Sequence, residues 1–213
     1  MGDRNCYRRM QVMTDGICYV AYGDKARAEC EASIETLQRI HRYPVTVISD
    51  QPFPRAVFKY APQIDLGGRW AKLNLDAWSP YEYTLYIDAD TRIRADLSHL
   101  FDVLHDGFEL CITPSMQQGR DHLLWHIGEE ERETTFNEMG YLPVQLQAGV
   151  FSFRKTKRVM ELFRVWREEW ERWNGQDQGA LLRAIHRVPV RYWLLGRPFN
   201  GTTVVQHNFG GCR

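Results

Sequence analysis

With 213 residues, of which 44% are hydrophobic, 25% charged and 13% aromatic, the chain can bury a sizeable core, which excludes intrinsic disorder and a fibrous repeat. Against the usual ~100–200 residues per domain, it reads as one unit over residues 1–213. The 27 Lys and Arg cancel the 27 Asp and Glu, so no net field favours polyanions and no nucleic-acid partner is expected.

No run approaches the ~20 apolar residues that span a bilayer. Residues 1–10 are polar and Arg-containing with no apolar core behind them, so neither export nor membrane insertion is expected. Cys6, Cys18, Cys30, Cys111 and Cys212 are odd in number and widely spaced, without a CxxC. That is unlike a disulfide framework or a tetrahedral zinc site and suits reduced, buried thiols in a cytoplasmic protein.

Residues 17–22 (ICYVAY) read as a buried strand, followed by Gly23 and by Asp24 as a helix N-cap. Cys30, Ile34 and Leu37 then recur at helical spacing. Residues 45–49 form a second strand ending at Asp50, and the two prolines of residues 51–54 mark a loop. Residues 70–78 look helical, and residues 83–87 (YTLYI) are the strongest strand, running into Asp88, Ala89 and Asp90. Leu97, Leu100, Phe101 and Leu104 make another helical stripe, and residues 110–113 another strand, closed by Pro114. This alternation is that of an α/β fold built from parallel βαβ units.

Residues 116–143 break the pattern and read as an excursion that closes over something. Within it, Glu129 to Glu133 read as a solvent-facing charged turn. His122 and His126, although at i and i+4, read as solvated loop histidines rather than metal ligands. Residues 147–153 (QAGVFSF) suit a half-buried strand. Val159, Leu162, Phe163, Trp166, Trp170 and Trp173 share one helix face, explained by packing on a sheet better than by a binding platform, and Gly175 stops the run. Gly67-Gly68 and Gly210-Gly211 form neither a GxGxxG nor a Walker pattern, which removes the standard dinucleotide and P-loop readings.

The chemistry concentrates in YIDAD. An extended backbone delivers carboxylates at i and i+2 to the same side, at the carboxyl end of a strand where open α/β sheets bind ligands. Two such anions want a cation, and hard oxygen ligands favour Mg²⁺ or Mn²⁺; an Asp-x-Asp at a strand end also arises as a turn or helix cap. Lys72 lies on the preceding helix, Gln147-Ala148-Gly149 opens a strand, Asp177-Gln178-Gly179 opens a helix, and His207 sits in HNFGG.

The order and spacing of these pieces resemble the glycogenin-like glycosyltransferases, family eight of the sugar transferases, within the nucleotide-sugar transferases of GT-A fold. Helix KL followed by WSPYEYTLYIDADTRI, then LQAGVFSFRK, GQDQGALL and VVQHNFGG, are similar to that family's successive motifs, over residues 17–211. The resemblance implies a single GT-A-type, Rossmann-like α/β domain with a mostly parallel central sheet flanked by helices. It implies Mn²⁺ (or Mg²⁺) on Asp88, Asp90 and His207, and a nucleotide-sugar donor, by resemblance a UDP-sugar. Lys72, Asp177 and Gln178 take the catalytic positions, with Lys72 by the donor's phosphate or sugar and the other two near the sugar. Ala89, Gln147, Gly149 and Gly210 fall in the donor-binding motifs, and Ala21, Tyr22 and Asp50 lie toward the nucleoside, where Tyr22 serves equally as packing.

The same resemblance implies hexosyl transfer with retention at the anomeric carbon. The acceptor, a glycan, protein or small molecule, is expected against residues 116–143. Two departures stand out: position 147 is Gln where the family has Asn, and HNFGGCR lacks the family's final lysine, proline and tryptophan, with Arg213 as the candidate substitute for the lysine. Two other readings compete. A nucleotidyltransferase would use a related fold but carries a Gly-rich basic segment near its first strand, absent here; a non-catalytic nucleotide-sugar-binding module would explain both departures.

Overall fold

The computed structural model describes residues 13–53, 57–60, 67–116, 118–119 and 124–208. In chain order the elements are β1 (Met13–Ala21), α1 (Asp24–Gln38), β2 (Val45–Ser49), β3 (Val57–Tyr60), α2 (Gly67–Leu73), α3 (Leu75–Trp78), β4 (Tyr81–Ile87), β5 (Thr91–Ile93), α4 (His99–His105), β6 (Leu110–Pro114), α5 (Glu129–Met139), β7 (Leu146–Arg154), α6 (Lys157–Trp173), α7 (Asp177–Arg187), β8 (Tyr192–Leu194) and β9 (Val205–His207).

Among the described residues, seven strands form one sheet in the order β3-β2-β1-β4-β7-β6-β8. Every neighbouring pair is parallel except β4–β7 and β6–β7, so β7 alone runs against the rest. This is the mostly parallel α/β sheet that the strand–helix alternation implies.

Strand periodicity sorts the core into two layers. On β1, Ile17, Tyr19 and Ala21 join Ile34, Leu37, Leu100 and Phe101 on the face covered by α1 and α4. Cys18 and Val20 point the other way and join Leu73, Phe163, Trp166 and Leu181, the face covered by α2, α6 and α7. Burial on both faces is why this central strand reads as a continuous apolar run. Cys18, Cys30 and Cys111 are buried and form no disulfide among the described residues; Cys6 and Cys212 lie outside the described residues.

The tryptophan stripe packs on the sheet as its spacing implies. The Trp166 ring meets Phe151 of β7 at 6.0 Å, and Phe163 lies 5.5 Å from Trp166. Its polar edges also hold the next helix in place. Trp166 Nε1 donates to Asp177 O at 2.8 Å and Trp170 Nε1 to Gly175 O at 3.0 Å, satisfying indole donors that burial would otherwise orphan.

Four local expectations are corrected. The N-cap of α1 is Gly23, and Asp24 begins the helix with its carboxylate on Arg27 rather than on a backbone amide. Residues 70–78 are two helices broken at Asn74, whose Nδ2 donates to Trp70 O at 2.9 Å. The last turn of α6 closes at Asn174, in the left-handed region at φ 51, one residue before Gly175. Residues 129–139 form α5, not a charged turn: Glu131 is buried and its Oε1 accepts from Arg183 Nη2 at 3.0 Å. Arg183 is itself buried, donating to Glu169 Oε2 and Thr135 Oγ1, both at 2.8 Å, so one guanidinium ties α5, α6 and α7 together.

Candidate metal and nucleotide-sugar site

Asp88 and Asp90 converge by a route other than two steps along an extended strand. β4 ends at Ile87, and residues 89–90 form a turn. Thr91 Oγ1, fully buried, donates to Asp88 O at 2.9 Å and shares a hydrogen bond with Ser33 Oγ, also at 2.9 Å, which locks the turn. The chain then leaves the main sheet as β5, which pairs antiparallel with β9 and sets Thr91 opposite His207. This small two-stranded sheet carries a histidine 117 positions away to the carboxylates, with His207 Nε2 at 3.0 Å from Asp90 Oδ1 and 3.7 Å from Asp88 Oδ2. Asp88, Asp90 and His207 each offer one ligand atom, all within 4.8 Å of one another.

A directional chain fixes the imidazole. Thr113 Oγ1 donates to Gln147 O at 3.4 Å and accepts from Asn200 Nδ2 at 3.1 Å, which turns Asn200 Oδ1 toward His207 Nδ1 at 2.7 Å. With Nδ1 engaged by Asn200, it is Nε2 that faces the two carboxylates. Two carboxylates and an imidazole nitrogen gathered this closely gain from a positive charge placed among them. Two hard oxygen donors and one imidazole suit Mn²⁺ or Mg²⁺, so the residues fit the divalent ion.

Glycine at 149 makes the space. A Cβ there would lie 2.6 Å from His207 Cε1 and 2.9 Å from Asp88 Oδ2. The β6–β7 register jumps at this point, from Ile112 opposite Phe151 to Thr113 opposite Gln147. Such irregularities bend a strand and re-aim it beside active sites.

Opposite the carboxylates, Lys72 is buried, with Nζ 2.8 Å from Asp177 Oδ2 and 3.7 Å from Asp88 Oδ1. Burial alone would lower its pKa, but Asp177 and Asp88 outweigh that and hold it above the ordinary value. Burial pushes Asp177 up, and the Lys72 and Arg69 cations overcome this and hold it low. Asp88 is the exception: burial raises its pKa despite Lys72 and His207, leaving a carboxyl that gains from further positive charge. Tyr86 Oη donates to Asp88 Oδ1 at 2.5 Å.

These groups line one cleft of about 510 Å³, a size typical of small-ligand sites. Of the sequence-derived candidates, Tyr22, Lys72, Asp88, Ala89, Asp90, Gln147, Gly149, Asp177, Gln178 and His207 line it. Ala21 and Asp50 do not. Ala21 is fully buried on the α1 face, and the Asp50 carboxylate is bound by Arg27 and the Gly23 N–H. Gly210, His122 and Arg213 lie outside the described residues. His126, read as solvated, is half-buried, with its Nε2 out of water.

Sequence reasoning missed Tyr86, Arg69 and Asn200. Tyr86, two positions before Asp88 on the same strand, carried a usable signal. Arg69 donates to Gly175 O and Gln176 Oε1, both at 3.0 Å, and lies 3.9 Å from Asp177 Oδ1; Asn200 acts only through the folded chain.

No protein-family profile and no curated protein sequence matches the chain. Solved structures do. The galactosyltransferase LgtC, solved in complex with donor and acceptor sugar analogs, superposes with TM-score 0.63 at 14% identity, over 92% of this chain and 87% of LgtC. Mouse xyloside xylosyltransferase 1 gives TM-score 0.60 at 11% identity, over 94% of this chain and 99% of that one. The bifunctional glycosyltransferase WbbM gives 0.60 at 14%, but this chain spans only 39% of WbbM. At these identities the likeness establishes the fold: the chain has the GT-A fold of these glycosyltransferases.

Proposed function

We propose that the protein is a metal-dependent glycosyltransferase that moves a sugar from a nucleotide-diphosphate donor, a UDP-sugar, to an acceptor with retention at the anomeric carbon. The observation that carries this reading is the convergence of Asp88, Asp90 and His207, with the imidazole held in orientation by Asn200, in the cleft of a GT-A fold. Asp88, Asp90 and His207 would hold Mn²⁺ or Mg²⁺, which when bound supplies charge to a diphosphate leaving group.

Lys72 adds a fixed ammonium beside that diphosphate, and its partner Asp177 holds it in place. Asp177 is a poor general base: it is ion-paired and its pKa is held low. An inverting route would need such a base opposite the leaving group, so the arrangement favours retention, in which a donor phosphate oxygen takes the acceptor proton. Gln147 and Gln178 offer amides to the hydroxyls of the transferred sugar. Among the described residues no helix is long and apolar enough to cross a membrane, and three buried cysteines without a disulfide among the described residues suit a cytoplasmic, reducing compartment.

The test is release of UDP from UDP-glucose and UDP-galactose with and without Mn²⁺. Metal-dependent release that disappears in both Asp88→Asn and Asp90→Asn supports the reading. Release unaffected by metal and by both substitutions refutes it.

A further inference from the structure

The two carboxylate oxygens of Asp88 stand in different surroundings. Oδ1 accepts the Tyr86 hydroxyl at 2.5 Å and lies 3.7 Å from Lys72 Nζ. Oδ2 is turned toward the other ligands: His207 Nε2 is 3.7 Å from it, and a Cβ on Gly149 would come within 2.9 Å. Among the described residues Oδ2 receives no hydrogen bond. The Asp88 side chain is 29% exposed and lines the cleft. One oxygen is thus engaged by the protein, and the other is left to a ligand.

The strand and the core keep Tyr86 at this task. Asp88 N–H donates to Gly149 O at 2.8 Å, which carries the β4–β7 pairing one residue past Ile87. Residues two apart on such a backbone share a side, so the phenol and the carboxylate emerge together. Tyr86 is buried, its ring 5.1 Å from that of Phe151 on β7, and Lys72 Nζ stands 5.1 Å from the ring centre. A ring packed in this way keeps its hydroxyl on Oδ1, because a buried O–H that gives up its acceptor has no water to replace it.

We propose that Tyr86 is a positioning residue that confines Asp88 to one metal-binding oxygen, and that it thereby makes the site prefer Mn²⁺ or Mg²⁺ over Ca²⁺. Mg²⁺ demands a compact, near-ideal octahedron and Mn²⁺ favours the same geometry, whereas Ca²⁺ takes more oxygens in a looser shell and accepts both oxygens of a carboxylate. With Oδ1 held by the phenol, the second oxygen that the larger ion would recruit is withheld. This rests on the metal-site reading above and goes beyond it by naming the residue that sets the ion preference.

The test is calorimetric titration of the whole chain with MnCl₂ and, separately, with CaCl₂. It compares the unsubstituted protein, Tyr86→Phe, and a variant with p-aminophenylalanine at this position, whose N–H still donates to Oδ1. Loss of the hydroxyl should weaken Mn²⁺ on the order of 10–100-fold, the usual cost of losing an outer partner, and Ca²⁺ far less, so the preference for Mn²⁺ narrows by roughly tenfold or more. The amine should restore the preference. Urea midpoints of the three proteins report separately on the fold. Equal loss of Mn²⁺ and Ca²⁺ affinity in Tyr86→Phe, or a preference that the amine leaves unrestored, would assign Tyr86 to packing alone and overturn the proposal. Equal affinity for the two ions in the unsubstituted protein overturns it without any variant. In all three cases the metal site itself stands; absence of Mn²⁺ binding by the unsubstituted protein overturns both.

Discussion

Asn200 Oδ1 lies 2.7 Å from His207 Nδ1, and that contact decides which ring nitrogen faces the carboxylates. Because Asn200 Nδ2 is engaged by Thr113, its amide has one orientation in which both bonds are made. Replacing Asn200 by Leu removes the acceptor and frees the ring. Mn²⁺ affinity should fall roughly 10–100-fold, the usual cost of losing such an outer partner, while Asn200→Asp retains most of it. Calorimetric titration with Mn²⁺ measures this; equal affinity in the Leu variant would show that the contact does not orient the site.

Gly149→Ala tests the packing of the same site from the opposite wall. The added methyl overlaps His207 Cε1 and Asp88 Oδ2, so the ligands must separate. Overpacking of this kind costs about 1–3 kcal/mol, and Mn²⁺ binding should be lost with it. Urea denaturation and Mn²⁺ titration on one variant report both quantities, and unchanged metal affinity would mean that the wall yields.

Lys72 is the cation between the buried Asp177 and the partly exposed Asp88, and removing it strands them. Lys72→Met should destabilise the protein by roughly 3–5 kcal/mol, as loss of one partner of a buried pair does. Adding Asp177→Asn should recover part of that loss, since the amide no longer needs the ammonium. A double-mutant cycle in urea gives the coupling directly; strictly additive effects would contradict an ion pair of this strength.

The acid limb of stability should depend on Glu169. Burial pushes its carboxyl up, but hydrogen bonds from Arg187 and Arg183 outweigh that and hold it below its ordinary 4.5. A lowered carboxylate pKa stabilises the fold fully above the unfolded value, and this contribution is lost as pH falls through the folded one. Stability should therefore decline below pH ~4.5, and Glu169→Gln should flatten that decline while lowering stability near neutrality by up to ~3 kcal/mol. Urea midpoints across the acid range distinguish the two proteins.

Much of the site was legible because its residues lie in short blocks whose local chemistry is distinctive. YTLYI running into Asp88 and Asp90 announced a strand end with paired acids, and the spacing of Phe163, Trp166 and Trp170 announced a sheet-packing face; both describe the folded chain. What escaped was set by contacts remote in sequence. Glu131 looks like one more charge in GEEERE until Arg183 is seen buried against it at 3.0 Å, and Asn200 is an unremarked residue of RPFN until β9 brings His207 to it. The convergence of Asp88 and Asp90 was expected for the wrong local reason. A turn locked by Thr91, not an extended backbone, brings them together. Asp50, placed toward the nucleoside by the resemblance, is held by Arg27 and does not line the cleft, and Arg27 is a partner that no local pattern reveals.

The central claim is that Asp88, Asp90 and His207 hold a divalent ion that a nucleotide diphosphate completes. The most direct measurement is thermal unfolding of the purified protein with UDP, GDP, ADP and CDP, each with and without Mn²⁺. A ligand at 100 times its Kd stabilises the folded state by about 2.7 kcal/mol, a readily measured shift. The account predicts a rise with UDP that requires Mn²⁺ and vanishes in His207→Ala. Stabilisation by UDP that is the same without metal, or none with any nucleotide, would contradict it.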